Sequence, residues 1–122
     1  MDYDKNNIFA RILRGEANAE VIYENKYVLC FKDISPRSKI HVLIIPKREY
    51  LDIYDFSKNA TSLEKESIFK AFEEIISFYN IEKRGCRIIT NQGIDGRQEV
   101  PHLHFHLLAG NDTGTMIAPN LG

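Results

Sequence analysis

A chain of 122 residues with 16 basic and 17 acidic side chains, 43% hydrophobic and 27% charged, has the make-up of one soluble globular domain with a real core. The basic residues are scattered, which speaks against a nucleic-acid surface; no run approaches the ~18 apolar residues of a membrane span, and the acidic start is unlike a signal peptide. Cys30 and Cys86 lie in unrelated apolar segments without metal-ligand spacing, so two buried free thiols in a reducing cytosol are expected rather than a disulfide.

In chain order, NNIFARILRG carries apolar residues at 8, 9, 12 and 13, which predicts a short helix capped by Asn7 and closed by Gly15. EVIYE and YVLCFKD flank the polar Asn25-Lys26 pair and predict a hairpin. Asp33 to Ser38 then turns about Pro36, and KIHVLIIP reads as a strongly apolar strand stopped by Pro46. The one long helix is expected in TSLEKESIFKAFEEIISFYN, where Thr61 and Glu64 match a capping box. Its stripe of Ile68, Phe69, Phe72, Ile75, Ile76 and Tyr79 is expected to pack on the core. CRIITN predicts another strand, NQGIDGRQ a glycine-bearing loop, PHLHFHLL the last strand, and residues 111–122 an irregular tail. The sum is α+β: a five-stranded antiparallel sheet with two helices packed on it, in one domain spanning 1–122.

Three of the four histidines, His102, His104 and His106, fall in that last strand, separated by Leu103 and Phe105. Side chains alternate along a strand, so the imidazoles share one face and Leu103, Phe105 and Leu107 the other. A one-residue slip would bury the imidazoles, so the apolar face fixes the register. Three uses compete. One zinc ion cannot gather all three, because the outer pair is separated by ~13 Å, although a site completed by His41 is conceivable. A solvated cluster is the plainer alternative. Chemistry at phosphorus suits the pattern best, since a neutral imidazole is nucleophilic while its neighbours hold protons.

His-apolar-His-apolar-His followed by two apolar residues resembles the signature of the histidine-triad (HIT) family. IFARILRGE resembles that family's first helix, CFKDISP and HVLIIPK its nucleoside-binding strands, TNQG with DGRQEV its phosphate loop, and GTMIAP the tail of bacterial Hint-type members. The resemblance implies hydrolysis of purine nucleoside 5′-phosphoramidates and related nucleotidyl adducts by a cytoplasmic homodimer, with no metal and no cofactor. It assigns His104 as the nucleophile that forms a nucleotidyl-histidine, with His106 on the phosphate oxygens. It also has His41 and His102 orienting the nucleophile and helping to route the proton to the leaving amine.

Other positions fit a nucleotide. Asp33 can accept both hydrogens of a ribose diol, or simply cap the turn before Ser35-Pro36. Ile8, Phe9, Ile12, Phe31 and Leu43 could sandwich a base, with Ile34 beside them. Asn91 offers amide donors to phosphate, or closes a local turn. Gln98, Glu99 and Val100 fall where the family places groups against the phosphate. Three positions depart from the family pattern. Arg97 stands where glycine is common, so a positive φ is disfavoured there, and it could add a cation beside the phosphate. Glu99 is expected to face the leaving group and favour cationic amines, and Pro101 stiffens the start of the strand. The rival functions are a dinucleoside polyphosphate hydrolase, a nucleotide-binding regulatory module with weak turnover, and a zinc-binding structural domain.

Overall fold

The computed structural model describes residues 2–117. Its elements are α1 (Ile8–Leu13), β1 (Val21–Glu24), β2 (Val28–Lys32), β3 (Ile40–Pro46), α2 (Ile53–Asn59), α3 (Ser62–Phe78), β4 (Arg87–Ile89) and β5 (Phe105–Ala109). All five strands form one antiparallel sheet in the order β1-β2-β3-β5-β4. Short turns make β1, β2 and β3 neighbours, and α3 then carries the chain across the sheet so that β5 slots between β3 and β4.

The predicted caps form. Asn7 accepts the Ala10 N–H at α1, and Thr61 and Glu64 close a reciprocal capping box on α3. The helix count differs from expectation: α2 makes it three. Only Phe56 of α2 is buried, so its seven residues carry no readable apolar period, and the Asp52 carboxylate starts it by accepting the Asp55 N–H at 2.8 Å.

The sheet has apolar side chains on both faces. Under α3, Val28, Cys30, Val42 and Ile44 pack with Leu103, Phe105 and Leu107, and α3 adds Ile68, Ala71 and Ile75. Full burial of an Ile or Leu side chain contributes about 1.5–3 kcal/mol, so Ile44, Ile75 and Leu107 alone anchor helix to sheet. Phe69 breaks the predicted stripe at 72% exposed. It sits about 100° around the helix from Ile68, past the line of contact, and rests edge-on against Phe72 instead. Cys86 is likewise exposed, leaving only Cys30 as a buried thiol, because Cys86 precedes β4 at the end of the sheet.

On the opposite face, Leu29, Phe31, Leu43 and Ile45 form a second, smaller core with Phe9 of α1. Leu43 faces His106 across the β3–β5 ladder, so the histidines share this face.

The strand itself is shorter than the histidine run. Only His106 lies in β5, which starts at Phe105 opposite Ile44. Beyond that pair the ladder would need the N–H that Pro46 lacks, and other bonds take over. The Leu103 N–H donates to the Tyr50 carbonyl at 2.8 Å, and the Thr90 hydroxyl donates to the His104 carbonyl at 2.8 Å. Alternation survives: Leu103 enters the core under α3 while His102 and His104 turn to the other side.

From residue 111 to 117 the tail has no helix or strand. Arg87 holds part of it, its guanidinium donating to the carbonyls of Gly114 and Thr115 at 2.7 and 3.1 Å. Ala118 and Pro119 of the tail motif, and residues 120–122 after them, lie outside the described residues. No helix among the described residues is long and apolar enough to cross a membrane.

Candidate active site

A cavity of about 1050 Å³ opens on the face away from α3, between α1, β2, β3 and the 91–100 loop. Its floor contains His104 and His106. The four histidines stand in two layers, for His41 and His102 lie behind these two and are not among the lining residues.

Hydrogen bonds fix the tautomer of each ring, backbone groups setting three of them and the His41 imidazole the fourth. His104 donates its Nδ1–H to the His102 carbonyl at 2.8 Å, which leaves Nε2 with a free lone pair toward the cavity. His102 donates its Nε2–H to the Pro46 carbonyl at 2.9 Å, and its Nδ1 accepts from the Tyr3 hydroxyl. His41 accepts the Arg37 backbone N–H on Nδ1 at 3.1 Å. Its Nε2–H is then left to donate to His106 Nδ1 at 2.9 Å, with the Asp33 carboxylate 3.4 Å from the same nitrogen. His106, accepting on Nδ1, keeps its proton on Nε2, the nitrogen left for the cavity. One imidazole thus offers a lone pair and its neighbour an N–H, with ring centres 5.1 Å apart.

Burial keeps these rings uncharged. His102 and His106 are driven from 6.5 down to about 4, first by burial and then by neighbouring imidazoles. His104 and His41 are also lowered by burial, partly offset at His104 by the His102 carbonyl and the charges of Asp33 and Glu99. An unprotonated His104 at neutral pH is the form that can attack an electrophile.

The apolar wall is largely the one expected from sequence. Ile8, Phe9, Ile12, Phe31 and Leu43 all line the cavity, as do Ile34 and Val100. Phe9 packs edge-on against His104 with ring centres 4.9 Å apart. Asp33 lines it too, one carboxylate oxygen accepting the Ser35 N–H at 2.8 Å and the other facing His41. Asp33 therefore caps the turn with one oxygen while the same carboxylate lines the cavity.

The loop is more mixed. Asn91, Arg97 and Glu99 reach the cavity, but the Asn91 amide donates to the Gly96 carbonyl at 2.6 Å. Gln98 does not reach it. Its amide instead donates to the carbonyls of Leu51 and Val100 at 2.7 and 3.0 Å, stapling the loop to the segment before α2. Arg97 adopts φ 58, contrary to the expectation for a non-glycine residue. Two backbone bonds enforce it, Arg97 N–H to Ile94 carbonyl at 3.0 Å and Gln98 N–H to Gly93 carbonyl at 3.1 Å. The left-handed turn is closed tightly enough to hold a side chain that costs about 1–2 kcal/mol there.

Sequence reading missed Asn18, Ala19, Ser35, Arg37 and Asp95, which also line the cavity. Arg37 had the clearest signal, a cation four residues before His41 in the turn after Asp33. It missed Tyr3 altogether. Among the described residues, one group of possible metal ligands converges, Asp33, His41 and His106, with ligand atoms within 4.8 Å of one another. Here those atoms are joined through the His41 Nε2–H, and an ion bound there would have to displace that proton.

A family model for the HIT domain matches residues 14–113. An uncharacterized 13.2 kDa HIT-like protein of Azospirillum brasilense is 46% identical, over 94% of this chain and 94% of its own length. The purine nucleoside phosphoramidase of Escherichia coli strain K12 is 36% identical over 91% of this chain and 92% of its own. Among solved structures, a HIT family hydrolase from Clostridium thermocellum superimposes with a TM-score of 0.80 at 35% identity, covering 94% of this chain and 99% of that one. A histidine triad protein from Clostridium difficile does so with a TM-score of 0.79 at 33% identity over 100% of both chains.

Proposed function

The chain belongs to the HIT domain family, and on that premise we propose that it is a hydrolase of purine nucleoside 5′-phosphoramidates and related nucleotidyl adducts. The observation that carries this reading is the pairing of a free Nε2 lone pair on His104 with an Nε2–H on His106, both on the cavity floor. His104 Nε2 attacks the α-phosphorus, forming the N–P bond as the P–N bond to the amine breaks. The departing nitrogen takes a proton from solvent at the cavity mouth. The new imidazolium keeps its Nδ1–H on the His102 carbonyl, which disperses the charge. His106 donates to a phosphate oxygen, the position where negative charge grows. Water then attacks the nucleotidyl-histidine, releasing the nucleoside monophosphate and restoring the ring.

Phe9, Phe31 and Leu43 provide a flat apolar slot for the base, and Asp33 an acceptor for the ribose hydroxyls. Glu99, whose charge is felt at His104, stands on the leaving-group side and favours a cationic amine. The Arg37 and Arg97 side chains line the cavity with no hydrogen-bond or salt-bridge partner among the described residues. They favour a second reading, an anionic leaving group as in a dinucleoside polyphosphate. The protein works in the cytosol, where Cys30 and Cys86 remain thiols. It pairs with a second copy through the sheet end at β4, where Ile88 is exposed.

The test is mass spectrometry of protein quenched during turnover of an adenosine phosphoramidate, which should show a nucleotidyl adduct on His104 that is absent in His104→Ala. Turnover should persist in a chelator. Tight nucleotide binding with no adduct and no turnover would leave only a binding module, and activity lost on chelation would point to a metal at Asp33, His41 and His106. Comparing a lysyl phosphoramidate with a dinucleoside polyphosphate decides between the two leaving groups. Light scattering that shows only a ~14 kDa species would refute the pairing.

A further inference from the structure

Tyr3 stands outside residues 14–113, the span that matches the HIT domain, yet its hydroxyl donates to His102 across 99 positions of sequence. His102 is wholly buried, and its Nδ1 has this one partner among the described residues. We propose that Tyr3 is a positioning residue for the reaction: it clamps the His102 ring from one side while Pro46 clamps it from the other, and the His102 carbonyl then aims His104. The proposal rests on the reading of His104 as nucleophile given above.

The chain of contacts is short. Tyr3 OH meets His102 Nδ1, His102 Nε2–H meets the Pro46 carbonyl at 2.9 Å, and the His102 carbonyl accepts the His104 Nδ1–H at 2.8 Å. A ring held at both nitrogens cannot turn about its own bonds, so the peptide that follows it is fixed as well. That peptide oxygen decides which nitrogen of His104 keeps the proton and which faces the cavity. Tyr3 is itself held. Its ring lies edge-on to His102 with centres 5.6 Å apart. The next residues coil into the α1 cap, where the Asn7 amide donates to the Asp4 carbonyl at 2.7 Å.

Removing the hydroxyl also frees a lone pair that can take a proton. The titratable and charged groups around this pair are His104 next to His102, and Asp4, Arg14 and Glu49 around Tyr3. Burial still disfavours a charge on His102 once the donor is gone, but a proton is taken more readily than before, and a cation there opposes the positive charge that His104 must carry in the intermediate.

The experiment compares Tyr3→Phe, which keeps the ring, with Tyr3→Leu, which removes ring and hydroxyl together. Tyr3→Phe should lower kcat about 10-fold, as a slight misaiming does, with KM within about two-fold, and should move the acid limb of kcat upward by about one pH unit. Long-range ¹H–¹⁵N spectra of the ligand-free protein should show His102 as the Nε2–H tautomer in the wild type and titrating at higher pH in Tyr3→Phe. Wild-type kcat, pH profile and His102 spectra in Tyr3→Phe would overturn the proposal, all the more if Tyr3→Leu alone were impaired, since packing would then be its whole role. Wild-type protein without turnover would instead sink the nucleophile assignment, and the His102 spectra would still decide whether Tyr3 sets that ring's state.

Discussion

Lowering the pH should destabilise this protein well before its carboxylates protonate. His102 sits at about 4 in the fold against about 6.5 in the unfolded chain. Between those values the unfolded state binds more protons, so stability falls as pH falls. From about pH 7.5 to about pH 5, a pKa difference of that size removes about 2 kcal/mol through His102 alone. His106 has the same shift but borders the cavity, where water screens it, and is credited with about half as much. His41 and His104 are lowered too and act in the same direction. Glu64, also lowered, withdraws its share only below the ordinary carboxylate range. A loss of about 3 kcal/mol is a large part of the ~5–15 kcal/mol of a typical domain, and corresponds to about 12 °C in Tm at this size. Thermal unfolding followed by circular dichroism across that pH range measures it. A Tm that is level or rises toward pH 5 would show that the imidazoles are not held neutral by burial, and the assignment of His104 as a ready nucleophile would fall with it.

Asp33→Asn should raise KM for a ribonucleotide substrate about 10-fold, the worth of a hydrogen bond to a charged acceptor, and narrow its preference over the 2′-deoxy analogue. Unchanged selectivity between the two sugars would remove Asp33 from ribose recognition. Arg97→Gly should leave stability within about 1 kcal/mol, strain relief being offset by added freedom in the unfolded chain. Arg97→Val should cost more than that, because a β-branched residue fits φ > 0 poorly, and equal Tm values for the two variants would contradict it. Glu64→Ala should cost roughly 2–3 kcal/mol in urea unfolding, since one oxygen accepts from Tyr50, Arg48 and twice from Thr61. A midpoint like the wild type's would mean water replaces that carboxylate without loss.

Local rules made much of the fold legible. The capping box at Thr61, the polar turn at Asn25-Lys26 and the alternation through Leu103, Phe105 and Leu107 each depend on near neighbours. That alternation placed the imidazoles on one face, and the apolar segments that resemble a nucleoside site do line the cavity. What stayed hidden depends on distant partners. Nothing near residue 3 hints at His102, nothing near Gln98 at the Leu51 carbonyl. The left-handed turn at Arg97 is imposed by two backbone bonds against the residue's own preference. The histidine run read as continuous strand because its pattern alternates, whereas the ladder ends where Pro46 has no N–H to give.

The smaller core and the slot proposed for the base share Phe9, Phe31 and Leu43. Widening that slot for a bulkier heterocycle would therefore loosen the docking of α1 on the sheet, and with it the arm that carries Tyr3. Selectivity for one base over another can drift freely only at wall positions outside the core, such as Ile8 and Asn18 at the rim. Relatives that come to prefer different bases should differ there first, long before Phe9 and Phe31 change.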